Sequence, residues 1–85
     1  MEMDTVEEAL RLFMRDKRVT QTKMARDLGY RTVAGVTNRL DSSKNGMRFD
    51  MVYKFADVLG CDIVLRDRAY PDHEIVIRGY KSKEK

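Results

Sequence analysis

Apolar positions in this 85-residue chain recur at helical spacing over the first sixty residues and then switch to alternation. Val6, Ala9, Leu10 and Phe13 follow Thr5 at intervals of three and four, and Glu8 stands three places after that threonine. This is the capping-box start of a helix, which the pattern predicts to end near Arg15. Met24, Ala25 and Leu28 form a second stripe behind Thr20, whose hydroxyl can accept from the free N–H groups of a helix start, and Gly29 fits the left-handed residue that closes one. Tyr30 and Arg31 make a turn. Thr32 then caps a third helix with Val33, Val36 and Leu40 inward and Ala34, Thr37, Asn38 and Asp41 around the opposite face. Phe49, Val52, Ala56 and Leu59 trace a fourth helix, stopped by Gly60.

Past Gly60, residues 62–66 and 74–78 are β-branched runs around a polar stretch holding the only proline, Pro71, and read as the two strands of a hairpin. Alternation puts Ile63, Leu65, Ile75 and Ile77 on one face, expected to pack on the helices. Val64 and Val76 then share the other face with Arg66 and Arg78. A lone hairpin with apolar residues on both sides is poorly protected, so this second face is predicted to join two copies of the chain. The expected organisation is a bundle over residues 1–60, a hairpin extension over 61–80 and a disordered tail over 81–85.

Residues 20–40 are thus two short helices hinged at a glycine. That is the pattern of a helix-turn-helix, a unit whose second helix lies in the major groove of DNA. Charge supports the reading. Residues 1–14 carry a net −3, residues 15–48 a net +6 and residues 49–85 a net of 0, which concentrates the overall +3 on the helix pair. Lys and Arg confined to one unit suit a polyanion, because they replace counterions condensed on phosphates. Arg18 and Arg26 can instead pair with Asp16 or Asp27. Gly35 costs roughly 1 kcal/mol of helix propensity relative to alanine, so its presence implies a close backbone approach to DNA or to the second helix.

Other chemistries find little support. There is one histidine, His73, and one cysteine, Cys61, with no Gly-rich phosphate loop and no Cys/His cluster, so no enzyme activity, metal or other cofactor is expected. Cys61 reads as a small hydrophobe beside a strand. The first residues have neither a basic nor an apolar leader region, and no apolar run approaches the roughly 20 residues that cross a bilayer. A reducing cytoplasm, no membrane association and no small-molecule ligand are the expectations.

Thr20-Gln21, Ala25, Gly29 and the run Ala56-Asp57-Val58-Leu59-Gly60 resemble the Xre/Cro family of phage-repressor-like regulators. In that family a TQ-x-x-x-A-x-x-x-G motif precedes the reading helix and A-x-x-L-G ends the domain. The resemblance covers roughly residues 5–60, with a β extension like that of small prophage or mobile-element members. It implies a mostly α, four- or five-helix lambda-repressor-like helix-turn-helix bundle with a C-terminal β-hairpin, bacterial or phage-encoded. Between Gly29 and Val36 the chain is one residue longer than the common pattern, and Asp41-Ser42 stands where Glu and Gly are usual.

The resemblance makes Gln21 a phosphate clamp. Lys23, Arg39, Ser43, Lys44, Asn45 and Arg48 are further phosphate candidates, and Arg31, Thr32, Ala34, Thr37 and Asn38 the base-reading candidates. Asn pairs with adenine, Arg with guanine, and Thr or Ala methyls touch thymine. A homodimer joined by Val64, Arg66, Val76 and Arg78 would read an inverted repeat with half-sites roughly 34 Å apart, and occlusion of a promoter makes repression the default. The alternative is an antitoxin-like or phage-encoded module whose hairpin binds another protein.

Overall fold

The computed structural model describes residues 2–41 and 46–79. Ser43, Lys44, Asn45 and the 81–85 tail lie outside them.

Helix α1 (Val6–Lys17) begins as its sequence demands, with the extended Thr5 accepting the Glu8 N–H at 3.2 Å. It runs two residues beyond Arg15 because Arg18 takes the left-handed conformation (φ 58°), letting Arg18 N–H reach Arg15 O and Val19 N–H reach Met14 O. Its inward face is Glu7, Leu10 and Met14, whereas Val6 and Phe13, expected in the core, are 38% and 45% exposed. The helix is rotated because Leu10 and Met14, one turn apart, fill the space beside the fourth helix and leave none for Phe13.

Helix α2 (Gln21–Leu28) matches expectation at both ends: Thr20 Oγ1 accepts the Lys23 N–H at 3.1 Å, and Gly29 (φ 81°) closes the helix. Helix α3 (Ala34–Arg39) does not start as expected. No side chain caps it; Gly35 N–H donates to Thr32 O and Val36 N–H to Val33 O, so backbone carbonyls satisfy the first turn in place of the Thr32 hydroxyl. Val33 consequently stands at the cap and is 38% exposed rather than buried. Helix α4 (Phe49–Val58) buries Phe55 and Ala56, followed by Leu59, while Phe49 is exposed and Val52 half-buried. Ala56 and Leu59 are thus inward as expected, while Phe55 takes the core place expected for Phe49.

Met24, Val36, Leu40 and Phe55 are fully inaccessible and, with Leu10, Met14, Ala25 and Leu59, join all four helices in one core. Each large side chain so buried contributes roughly 1.5–3 kcal/mol relative to exposure. Helix α2 sits centrally, against α3 on one side and α4 on the other.

Strands β1 (Ile63–Arg66) and β2 (Glu74–Ile77) pair antiparallel with Ile63 opposite Ile77, Val64 opposite Val76, Leu65 opposite Ile75 and Arg66 opposite Glu74. At the tip, Asp67 Oδ1 accepts the Ala69 N–H at 2.8 Å and its own N–H donates to His73 O. The base of the hairpin is tied to the bundle through Tyr53 Oη donating to Arg78 O at 2.7 Å. Ile63 and Ile77 are therefore half-buried, but Leu65 and Ile75, expected against the helices, are 66% and 56% exposed. The strands carry them away from the bundle.

Candidate nucleic-acid interface

Helices α2 and α3 present a continuous surface built from their first turns. Gln21, the first residue of α2, is half-buried and reaches across to α3, where Thr37 Oγ1 donates to Gln21 Oε1 at 2.5 Å. On α3, Ala34, Thr37 and Asn38 are all exposed, as are Arg31 and Thr32 in the turn before it. The five candidate base readers thus share the solvent side of one short segment. Val33 joins them. Its position on an otherwise polar surface escaped the sequence pattern, in which a valine three residues before Val36 looks like core.

Tyr30 sets the angle of this segment. Its ring lies against α3 so closely that a Cβ on Gly35 would stand 3.1 Å from Tyr30 Cγ and 3.2 Å from Cδ2, tighter than ordinary contact. Within the protein, the glycine therefore makes room for a side chain of the turn rather than for α2. Tyr30 Oη donates to Met51 Sδ at 3.2 Å, and Arg39 stacks over the ring with its guanidinium carbon 4.7 Å from the centroid. Turn, reading helix and α4 meet in one residue. The sequence marked it only through the cost of Gly35.

The cationic candidates divide by their partners. Arg39 Nη1 donates to Gly35 O at 3.0 Å, and Arg48 lies 3.6 Å from the Asp50 carboxylate. Lys23 Nζ is 2.7 Å from Asp27 Oδ2 one turn on, a hydrogen bond that holds the Asp27 carboxyl below its ordinary value. Asp16, expected beside Arg18, pairs with Arg15 at 3.5 Å. All these are exposed or half-exposed pairs that a phosphate can displace at small cost. A groove of about 320 Å³, lined by Asn38, Arg39, Gly46 and Arg48 among others, separates the end of α3 from the start of α4. It puts two arginines at the rim of the reading surface.

Among the described residues there is no group of three or more His, Cys, Asp or Glu side chains able to hold a metal ion, and no helix long and apolar enough to cross a membrane. No curated protein and no solved structure matches the chain. A family profile does: that of the Cro/C1-type HTH DNA-binding domain, over residues 9–64. Its span takes in most of α1, all of α2 to α4 and the start of β1, so the chain belongs to the family of Cro/C1-type helix-turn-helix DNA-binding domains.

Proposed function

We propose that the protein is a small transcriptional regulator, a repressor of phage or mobile-element genes in a bacterial cytoplasm, that reads an inverted repeat as a homodimer. The observation that carries sequence-specific reading is the exposed surface of Val33, Ala34 and Asn38 at the cap and outer side of α3. Asn38 can bond an adenine edge and Arg31 a guanine, while the methyl groups of Val33 and Ala34 suit thymine. Gln21, Lys23, Arg39 and Arg48 hold the flanking phosphates, with Ser43, Lys44 and Asn45 as further candidates, and make affinity fall with salt.

Two reading helices need a symmetric mate. Leu65 and Ile75, paired across one face of the hairpin, are 66% and 56% exposed, and among the described residues both strand edges are open. A second copy covering that surface would bury it without a new partner. Of the interface expected from sequence, Val64, Arg66 and Arg78 are exposed and Val76 is half-covered, so Leu65 and Ile75 carry the greater share of exposed apolar surface. The same surface supports a second reading, an antitoxin-like module whose hairpin captures a different protein. Fluorescence anisotropy on the DNA flanking the gene, at two salt concentrations, tests the regulator. Folded Asn38→Ala should lose the preference for that DNA over a scrambled duplex and Gln21→Ala should weaken both; equal binding of both duplexes by the unaltered protein would refute it.

A further inference from the structure

We propose that Thr37 is a positioning residue that aims the amide of Gln21, in place of the base-reading role its place on α3 suggests. The proposal rests on the reading of Gln21 as a phosphate contact. A phosphate oxygen accepts hydrogen bonds and offers none, so a glutamine serves it only through Nε2. Rotating the amide by half a turn would present Oε1 instead, oxygen against oxygen. The hydroxyl of Thr37 prevents this: it donates to Gln21 Oε1 at 2.5 Å, across the notch between α2 and α3. Engaging Oε1 fixes which way the planar amide is turned and leaves both Nε2 hydrogens to other acceptors.

The hydroxyl has one proton. It is committed to Gln21, with Val33 O at 3.3 Å as its only other acceptor given by the geometry, one turn back on the same helix. No proton remains for a base edge. The Val33 carbonyl also means that Thr37 keeps a partner when Gln21 is removed, so the two side chains are coupled in one direction: Gln21 needs Thr37 for orientation, but Thr37 does not need Gln21 for satisfaction. The bond also ties the phosphate contact of α2 to the register of α3.

The test uses the full chain and two duplexes of equal length, one carrying its selected site and one of random sequence, with Thr37→Val, Thr37→Ser, Gln21→Ala and the double variant Thr37→Val/Gln21→Ala. Thr37→Val should weaken binding to both duplexes by the same factor, about tenfold to a hundredfold, the worth of one hydrogen bond to an anionic acceptor. Thr37→Ser, which keeps the hydroxyl, should restore binding to within about twofold, and Thr37→Val should have no further effect in the Gln21→Ala background. Circular dichroism melts verify that each variant is folded. The proposal is overturned if Thr37→Val changes the preferred base at one position of the site while leaving the random duplex alone, or if it retains its full effect without Gln21. Failure of the unaltered protein to bind either duplex, or of Gln21→Ala to weaken it, would overturn the underlying phosphate reading as well.

Discussion

Replacing Gly35 by alanine pits helix propensity against packing, and the structure decides the sign. In an isolated helix the change would stabilise by roughly 1 kcal/mol. Here the new methyl would sit 3.1 to 3.3 Å from three atoms of Tyr30. The ring has little freedom to yield, being held by the Met51 sulfur at its hydroxyl and by the Arg39 guanidinium over its face. Overpacking of this kind costs typically 1–3 kcal/mol, and displacing the ring forfeits a further ~0.5–1 kcal/mol of cation–π attraction. The balance is a net loss of about 0.5–3 kcal/mol. For a domain of this size that lowers Tm by about 4–8 °C per kcal/mol. Urea and thermal denaturation at one fixed protein concentration measure it, since a dimer's stability depends on concentration. The decisive control is Tyr30→Ala: without the ring, Gly35→Ala should become stabilising by roughly 1 kcal/mol. A Gly35→Ala protein more stable than the parent, or an effect indifferent to Tyr30, would refute the packing reasoning.

Other substitutions probe separate parts of the structure. Arg18 holds a left-handed φ of 58° without being glycine, so Arg18→Gly should raise stability by about 1 kcal/mol, and a lower Tm would contradict the strain assigned to that cap. Asp27→Asn removes a competing carboxylate beside Lys23 and a negative charge from the proposed phosphate face, so affinity should rise; Lys23→Gln should weaken binding and flatten the slope of log K against log salt by about 0.9, whereas an unchanged slope in Lys23→Gln would remove Lys23 from the contacts. Leu65→Lys with Ile75→Lys should yield monomers in sedimentation velocity and weaken binding to a two-half-site duplex by about a hundredfold through lost avidity. A dimer that survives both charges would move the interface elsewhere.

Local chemistry is legible in the sequence. Thr5 and Thr20 cap as their sequence context demands, and Gly29 turns left-handed where a helix must stop. The sharing of faces in the hairpin, Val64 with Val76 and Leu65 with Ile75, agrees with the alternation in the sequence. What pattern reading misjudged was rotation and reach. Helices α1 and α4 carry more apolar residues than their inward faces can hold, so Val6, Phe13 and Phe49 looked like core yet lie outside it. Which of two apolar stripes is buried depends on the neighbouring helix, and no local spacing encodes that. Thr32 illustrates a rarer failure: a good cap residue stands beside a turn whose own carbonyls already bond the first N–H groups of α3. The reach of Leu65 and Ile75 depends on the direction in which the strands leave α4, a property of the whole fold. At the site, the exposed candidates Ala34, Thr37 and Asn38 were readable from helical spacing, while Tyr30 and the Gln21–Thr37 bond join residues on separate elements.

Selection of bound duplexes from a random library, run in parallel for the unaltered protein and for Asn38→Ala, tests most directly whether α3 reads DNA. The unaltered protein should recover an inverted repeat whose half-sites lie about one helical turn, roughly 34 Å, apart, and Asn38→Ala should lose its preference at one symmetric pair of positions while keeping the spacing. Recovery of no common sequence, or of the same sequence by both proteins, would contradict the assignment of the reading surface.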